Sequence, residues 1–262
     1  MALSDIELSG VAQRLLEGAR DRKPIDPITE TYSEITIEEA YRIQVLTVDA
    51  RVSEGRIVIG KKVGLTSPAM QEMFGVDEPD YGHLLDDMLV YQGMGLDTSR
   101  LLQPRIEGEI AFVLERDLAG PGVTPVDVIR STAGVIASLE IIDSRIRDWK
   151  IKIQDTVADN ASGAAVVLGT KLVPLINLDL RGVGFVMTKN GRLAGTAAGA
   201  AVLGSPVQSV AWLANRLSDY GISLKAGEII LSGAAAAAVP VEAGDSIQLT
   251  VDRIGEVGCF FT

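Results

Sequence analysis

Two glutamates separated by one residue give the strongest chemical signal in the sequence. Glu107 and Glu109 lie in the segment 103–114 and at the start of a largely apolar predicted β-strand, 107–115. Residues i and i+2 of a strand point to the same face, so the two carboxylates lie side by side, with Cα atoms about 7 Å apart. Ala111 and Val113 share this face, which indicates that it turns toward the core or a pocket. Two carboxylates repel each other there unless a cation lies between them.

A third carboxylate, Glu140, lies in another apolar predicted strand, where a glutamate is rarely tolerated without a partner. Three carboxylates together with water suit Mg²⁺ or Mn²⁺, which prefer hard oxygen ligands in octahedral geometry. Zinc is a poor candidate because the chain has one cysteine, Cys259, and one histidine, His83. On spacing alone, a Glu-x-Glu strand is more often a solvated sheet edge than a metal site. When Glu140 is included, the two interpretations have equal weight.

The next candidate for a functional residue is a lysine that lies between two glycines on one face of a strand. Lys62 shares one face of a predicted strand, 57–63, with Gly60 and Gly64, which leave room for a ligand. Such a lysine binds a substrate carboxylate, or acts as an acid or base if burial lowers its pKa. On the pattern alone we favour the alternative that Lys61 and Lys62 both extend to solvent at a strand end.

Polar residues in two predicted loops are weaker candidates. Asp80 lies in a predicted turn, 79–82, and His83 follows it; each alone is more typical of a turn or surface position, and His83 has no identified orienting partner. The segment 159–163, which contains Ser162, either lines a polar site or only connects two elements.

Composition and charge exclude several classes of function. The 262 residues carry a net charge of −11 and no Lys/Arg-rich stripe, so we expect no nucleic-acid binding. No apolar run reaches the length of a bilayer span, and the polar, acidic N-terminus lacks the pattern of a secretory signal, so we expect a cytoplasmic protein. An anionic substrate must therefore be attracted by a local cation or metal.

The predicted elements favour an α+β fold. Capping boxes at Ser4/Glu7 and Thr36/Glu39 predict two helices in an N-terminal helical lobe, residues 1–55. The remainder, 56–262, is predicted to be a β-rich catalytic domain in which strands are not regularly interleaved with helices. Its further strands are predicted at 107–115, 135–143, 164–168, 182–188, 228–231 and 246–252, with a hairpin at 190–191 and helices starting at 67–68, 124–125 and 205–206.

Six stretches, in this order along nearly the whole chain, resemble the fumarylacetoacetate-hydrolase superfamily, and within it the 2-hydroxypenta-2,4-dienoate (2-oxopent-4-enoate) hydratase branch of aromatic meta-cleavage pathways. The stretches are 60–67 (GKKVGLTS), 80–88 (DYGHLLDDM), 104–109 (PRIEGE), 140–145 (EIIDSR), 149–162 (WKIKIQDTVADNAS) and 210–215 (VAWLAN). The resemblance implies a mixed β-roll or sandwich domain after a small N-terminal helical lobe, and a homo-oligomer.

The resemblance also implies roles for individual residues. It assigns the binding of Mg²⁺ or Mn²⁺ to Glu107, Glu109 and Glu140. It assigns proton transfer to Lys62 and Asp80, and substrate binding to Leu65 and Ser162. The implied reaction converts a dienol to the conjugated 2-oxo-3-enoate and adds water at C4, with the metal acting as a Lewis acid on the 2-oxygen.

Two alternatives remain open at this stage. The same scaffold also serves 4-oxalocrotonate (2-oxo-3-hexenedioate) decarboxylases, which lose CO₂ through the same enolate; the stretches 84–88 and 149–153 favour the hydratase. Ala234 stands where the hydratases often carry another hydroxyl residue, which leaves the contact with the substrate tail open. The chain could also be a non-catalytic partner in a complex with a pathway decarboxylase or aldolase, although retention of all the implied site residues argues against this.

Overall fold

The computed structural model describes residues 2–262, and the side chains of all of these except 68 and 69. Its α-helices are α1 (Asp5–Asp21), α2 (Ile28–Thr31), α3 (Ile37–Ser53), α4 (Pro68–Phe74), α5 (Pro125–Ser131), α6 (Ile153–Ala158) and α7 (Pro206–Ser218). Both predicted capping boxes are present: the Ser4 hydroxyl accepts from the Glu7 N–H, and Thr36 does the same for Glu39. None of these helices combines the length and apolar character that crossing a bilayer requires.

The strands form two sheets. They are β1 (Val58–Gly64), β2 (Asp80–Leu85), β3 (Leu89–Tyr91), β4 (Gly95–Leu96), β5 (Arg105–Leu114), β6 (Thr132–Ile142), β7 (Gly163–Leu168), β8 (Gly184–Lys189), β9 (Arg192–Ala198), β10 (Ile229–Leu231), β11 (Val239–Pro240), β12 (Ser246–Val251) and β13 (Gly255–Phe261). The larger sheet has the order β2-β1-β10-β5-β6-β7-β3, with β11 beside the start of β5. The smaller sheet has the order β4-β13-β12-β8-β9. Parallel and antiparallel pairs occur in both sheets, so the predicted mixed α+β class is confirmed.

Every predicted strand and every predicted helix start occurs in the structure. The prediction of a turn at 79–82 is wrong, because residues 80–82 are the first half of β2, which pairs along its whole length with β1. Several short or glycine-rich strands were not predicted, among them β3, β4 and β13. The hairpin at Asn190-Gly191 is confirmed, with both residues at positive φ as a type I′ turn requires.

The two faces of the larger sheet have different environments. On β6, Leu139 and Ile141 belong to the main hydrophobic core. At Gly108 of β5 a Cβ atom would lie 2.9 Å from the Leu249 side chain, so the smaller sheet packs closely here and a larger residue would displace Leu249. The opposite face therefore carries the alternate residues, and these include all three predicted metal ligands.

Helices α1 and α3 pack on the rest of the chain through a shared core rather than through a separate one. Gln44 of α3 is fully buried, and its side-chain amide donates to the carbonyls of Tyr81 and Val157. The bond to Tyr81 satisfies part of the outer edge of β2, and the bond to Val157 ties α3 to α6. The N-terminal helices thus hold in place the strand on which Asp80 lies.

Candidate active site

The carboxylates meet because β5 and β6 pair in one register. Glu107 lies directly opposite Glu140, and Glu109 lies opposite Ser138. Directly opposed residues of a pair point to the same face, so the three carboxylates converge. One oxygen from each of Glu107, Glu109 and Glu140 can be chosen so that all three lie within 4.8 Å of one another. The structure therefore brings together the three residues that the sequence suggested as metal ligands.

Burial leaves these carboxylates short of partners. Glu109 and Glu140 are fully buried, whereas Glu107 is only half-buried and is therefore the most exposed of the three carboxylates. The Gly233 N–H donates to Glu109 Oε2 at 2.7 Å, but Glu109 Oε1 and both oxygens of Glu140 accept no hydrogen bond within the described chain. Buried carboxylate oxygens are costly to leave unpaired.

The same burial changes the proton affinity of the carboxylates. Desolvation, followed by the charge of Glu140, raises the pKa of Glu107 to about 7 and that of Glu109 well above its ordinary value. A divalent cation would remove the repulsion between the carboxylates and would give their unbonded oxygens a partner. An all-oxygen donor set fits Mg²⁺ or Mn²⁺ better than zinc. The residues present therefore fit a hard divalent cation.

Lys62 brings a positive charge to this cluster. The residue is 3% exposed, its Nζ lies 3.4 Å from Glu140 Oε1, and it donates a 3.0 Å hydrogen bond to the carbonyl of Ala161. Burial alone would lower the pKa of Lys62, but the neighbouring carboxylates, Glu140 first, hold it above its ordinary value. Lys62 is therefore a charged ammonium in the metal-free protein.

The interpretation that both strand lysines extend to solvent is wrong. Lys61 points to the other face of β1, is 4% exposed, and forms a 2.9 Å ion pair with Glu228. The pattern was misleading because two adjacent charged residues are typical of an exposed strand end. Here each lysine has a carboxylate partner that the sequence does not place near it: Glu140 is buried and Glu228 is partly buried.

Asp80 lies beside Lys62 because of a glycine. Asp80 is opposite Gly64 in the β1–β2 pair, and a Cβ atom on Gly64 would lie 2.1 Å from Asp80 Oδ1 and 3.4 Å from Lys62 Nζ. Asp80 is 3% exposed, and its Oδ1 accepts no hydrogen bond. Burial raises the pKa of this carboxyl, and the nearby Lys62 charge opposes that rise. Asp80 and Lys62, called below the Lys62–Asp80 pair, are thus buried neighbours at the edge of the carboxylate cluster, although no direct hydrogen bond or ion pair joins them.

A loop with unusual backbone geometry presents the Ala161 carbonyl to Lys62. Asn160, Ala161 and Ser162 all have positive φ, between 48° and 57°, which is strained for residues other than glycine. The Asn160 side chain accepts from the His83 N–H and donates to the His83 carbonyl, at 2.8 and 2.9 Å. Gly82 allows this approach, since a Cβ there would lie 2.6 Å from the Asn160 carbonyl oxygen.

An ion pair secures the other side of the loop. Arg145 Nε donates to Asp159 Oδ1 at 2.5 Å, and the same guanidinium donates to the carbonyls of Asp143 and Gly163. Asp159 is buried, which raises its pKa to about 6 against the opposing charge of Arg145. The contacts of Asn160 and Arg145 thus hold the strained residues in place.

The two residues suggested for substrate binding, Ser162 and Leu65, lie in two different segments that adjoin the site. Ser162 is 2% exposed and follows Ala161, and its hydroxyl lies 3.5 Å from that of Thr156. Leu65 is half-buried with φ 53°, and it follows the Gly64 that accommodates Asp80. Leu65 therefore directly follows the strand that carries Lys62, and Ser162 directly follows the residue whose carbonyl accepts from Lys62.

Sequence reasoning missed several residues that build the site. Asn160, Arg145 and the Gly233 N–H lie in three separate segments, and only the fold brings them together. The presence of Ser138 two residues before Glu140 was a readable signal, since it continues the polar face of β6. His83 stays outside the carboxylate cluster: its Nδ1 lies 3.1 Å from Gln44 Oε1, and burial, with a smaller effect from Lys61, lowers its pKa to about 3.

Comparison with known proteins shows which family the chain is similar to. Residues 86–260 match the family model of the fumarylacetoacetate (FAA) hydrolase C-terminal domain. The chain is 47% identical to 2-hydroxyhexa-2,4-dienoate hydratase of Comamonas testosteroni, over 98% of this chain and 97% of that protein. It is 48% identical to 2-hydroxypent-2,4-dienoate hydratase of Pseudomonas putida, over 82% of this chain and 98% of that protein.

Among solved structures, 4-oxalocrotonate decarboxylase from Pseudomonas putida G7, complexed with magnesium and adipate, superimposes with a TM-score of 0.97. The two chains are 38% identical, and the match covers 99% of each. The family model spans well over half of the sequence, and the hydratases align over nearly all of it. The chain therefore belongs to the fumarylacetoacetate hydrolase family.

Proposed function

We propose that this protein is a divalent-metal-dependent hydratase that adds water to 2-hydroxypenta-2,4-dienoate (2-oxopent-4-enoate) or a close homologue, giving a 4-hydroxy-2-oxo acid. The observation that carries the proposal is the convergence of three buried, under-bonded carboxylates beside the Lys62–Asp80 pair. The similarity to hydratases over nearly the full chain supports the same reaction.

Glu107, Glu109 and Glu140 would hold Mg²⁺ or Mn²⁺, since oxygen donors with strong negative charge are what these ions select. When bound, the cation supplies Lewis-acid stabilisation of the charge that develops on the 2-oxygen of the substrate. It would also relieve the repulsion that raises the proton affinity of Glu107 and Glu109.

Lys62 and Asp80 are the proton-transfer groups of the proposed reaction. The proton leaves the 2-hydroxyl and a proton enters at C5, which gives the conjugated 2-oxo-3-enoate. Water then adds its oxygen at C4, and C3 takes up a proton, so one water is consumed overall. Asp80, whose pKa is raised by burial, can hold a proton close to Lys62, and the pair can exchange it with the substrate. Leu65 and Ser162 would contact the substrate from the adjoining segments.

The test is metal-dependent loss of the dienol. Protein treated with EDTA is incubated with 2-hydroxypenta-2,4-dienoate, and the dienol absorbance is followed before and after Mg²⁺ or Mn²⁺ is restored. We expect loss of absorbance only with metal, together with formation of 4-hydroxy-2-oxopentanoate. Equal rates with and without metal, or no product in either case, would contradict the proposal.

Decarboxylation is the second candidate, because the fold superimposes so closely on a 4-oxalocrotonate decarboxylase. The two reactions are separated by supplying 2-oxo-3-hexenedioate and measuring CO₂. Release of CO₂ faster than hydration of the dienoate would favour the decarboxylase. The division at residue 55, a homo-oligomeric state, a complex with a pathway decarboxylase or aldolase, and a cytoplasmic location stay predictions of the sequence.

A further inference from the structure

A serine interrupts the buried apolar face of α7. Ser209 is fully buried, whereas every other buried residue of this helix is apolar. Burial of a hydroxyl costs free energy unless the hydroxyl is hydrogen-bonded. A serine within a helix can bond to a carbonyl of its own helix, but the Ser209 hydroxyl donates instead to the carbonyl of Ser232, at 2.6 Å. This bond joins α7 to the segment that directly follows β10.

The Ser232 carbonyl belongs to a peptide group that also contacts the carboxylate cluster. The N–H of the same peptide group is that of Gly233, which donates to Glu109 Oε2 at 2.7 Å. Ser209, the Ser232–Gly233 peptide and Glu109 therefore form one continuous chain of hydrogen bonds. Hydrogen bonds in a chain polarise one another, so loss of the first bond weakens the second. Glu109 Oε1 accepts no hydrogen bond within the described chain and is the oxygen left for a cation.

The Ser232–Gly233 peptide group depends on this outside contact for its orientation. Gly233 has φ 105°, a region that glycine adopts readily and residues with side chains rarely do. β10 ends at Leu231, so regular strand pairing does not fix the peptide group. A half-turn of the peptide group would direct its carbonyl oxygen at the Glu109 carboxylate, and the two would repel each other. That half-turn must break the Ser209 bond, so the Ser209 hydroxyl keeps the N–H directed at Glu109.

We propose that Ser209 is a positioning residue of the metal site, which acts through the Ser232–Gly233 peptide to hold Glu109 in the orientation that binds the divalent cation. This inference rests on the proposed metal-dependent function. Two short hydrogen bonds in series, 2.6 and 2.7 Å, carry it. A helix outside the two paired strands of the carboxylate cluster thereby sets the affinity of the cluster for metal.

The first measurement is the affinity of the metal-free protein for Mn²⁺ by titration calorimetry. Ser209→Ala removes only the hydroxyl and introduces a good helix former. We expect it to bind Mn²⁺ about tenfold more weakly, the lower end of what the loss of an outer partner of a metal ligand costs. The matched control is Thr132→Val, which removes a buried hydroxyl that donates to the Val128 carbonyl at 2.7 Å. Thr132 lies at the opposite end of β6 from Glu140, so the control should keep its Mn²⁺ affinity.

The second measurement observes the Gly233 N–H directly by nuclear magnetic resonance. Serine precedes glycine at three places, 9–10, 162–163 and 232–233. Labelling of serine carbonyls with ¹³C and of glycine nitrogens with ¹⁵N therefore selects the amide signals of Gly10, Gly163 and Gly233. A hydrogen bond to a carboxylate shifts the Gly233 proton downfield in the metal-free protein, and Glu109→Gln identifies that signal. Ser209→Ala should move it upfield and leave the other two in place.

Weaker Mn²⁺ binding and an upfield Gly233 signal, both in Ser209→Ala and neither in Thr132→Val, are the expected result. An unchanged Mn²⁺ affinity, or a Gly233 signal that stays in place, would overturn the role of Ser209 and leave the hydratase proposal standing. Equal losses of affinity in the two variants would show a general loss of stability and would also overturn it. Absence of Mn²⁺ binding by the unmodified protein would overturn the metal-dependent function together with this inference.

Discussion

Replacement of Glu107 by glutamine separates the metal's effect from the protein's own electrostatics. In the metal-free protein, burial and the charge of Glu140 raise the pKa of Glu107 from 4.5 to about 7. The folded state then binds this proton more tightly than the unfolded state. The free energy of unfolding therefore falls as the pH rises from 4.5 to 7. At about 1.4 kcal/mol for each pH unit, the loss approaches about 3 kcal/mol, and glutamine escapes it because it does not titrate.

The expected result has two parts. Metal-free Glu107→Gln should be more stable than the unmodified protein by about 2 to 3 kcal/mol at pH 8, and the difference should nearly vanish at pH 4.5. The same variant should bind Mn²⁺ more than about 100-fold more weakly, because one of three anionic ligands is gone. Loss of metal binding together with gain of stability is not expected from a residue with a purely structural role.

Urea unfolding of EDTA-treated protein at several pH values measures the first part, and titration calorimetry with Mn²⁺ measures the second. The control is Glu115→Gln, which removes the same charge from an exposed carboxylate directly after the same strand. It should change neither the slope of stability with pH nor the affinity for Mn²⁺. Normal Mn²⁺ affinity in Glu107→Gln, or a stability difference that does not vary with pH, would refute the reasoning.

Three further substitutions test other parts of the site. Lys62→Met should abolish turnover but strengthen Mn²⁺ binding several-fold in calorimetry, because the ammonium beside Glu140 competes with the metal; weaker binding would contradict this. His83 has a pKa lowered to about 3, so only the unfolded chain takes up its proton between pH 6.5 and 5, and stability falls by about 2 kcal/mol over that interval. His83→Gln should flatten this dependence in urea unfolding, and an unchanged slope would exclude the assignment. Asn160→Ala should destabilise the protein by about 2 kcal/mol and lower kcat, since two backbone groups of His83 lose their partner; a fully active, equally stable variant would contradict the role of the loop.

The sequence predicted those parts of the fold that depend on local signals. Ser4 and Thr36 begin helices because their hydroxyls cap the first turn, and this depends only on neighbours along the chain. Alternation on β5 placed Glu107 and Glu109 on one face for the same reason. The turn at 79–82 was wrong because Pro79 and Gly82 are local turn residues, whereas pairing with β1 and cover from Asn160 make the segment a strand. Tertiary contacts prevailed there over local preference.

The site could be predicted less completely than the fold. The register that sets Glu107 opposite Glu140 depends on how β5 and β6 are aligned along each other. The alternation of apolar and polar residues in the sequence does not specify this alignment. The burial of Lys62 depends on a carboxylate far away in sequence and on the carbonyl of Ala161. The positive φ of Ala161 and Ser162 has no signal in residue type, and of the three strained residues only Asn160 is of a type that is common at positive φ. Resemblance to a family supplied the residue roles that local patterns left open.

The most direct test of the central claim is a crystal structure of the protein with Mn²⁺, with the ion located by its anomalous scattering. The account predicts a single strong peak on the site face of the larger sheet, within about 2.2 Å of oxygens from Glu107, Glu109 and Glu140. A peak that contacts none of these carboxylates, in crystals of protein that turns over the dienoate with Mn²⁺, would contradict it.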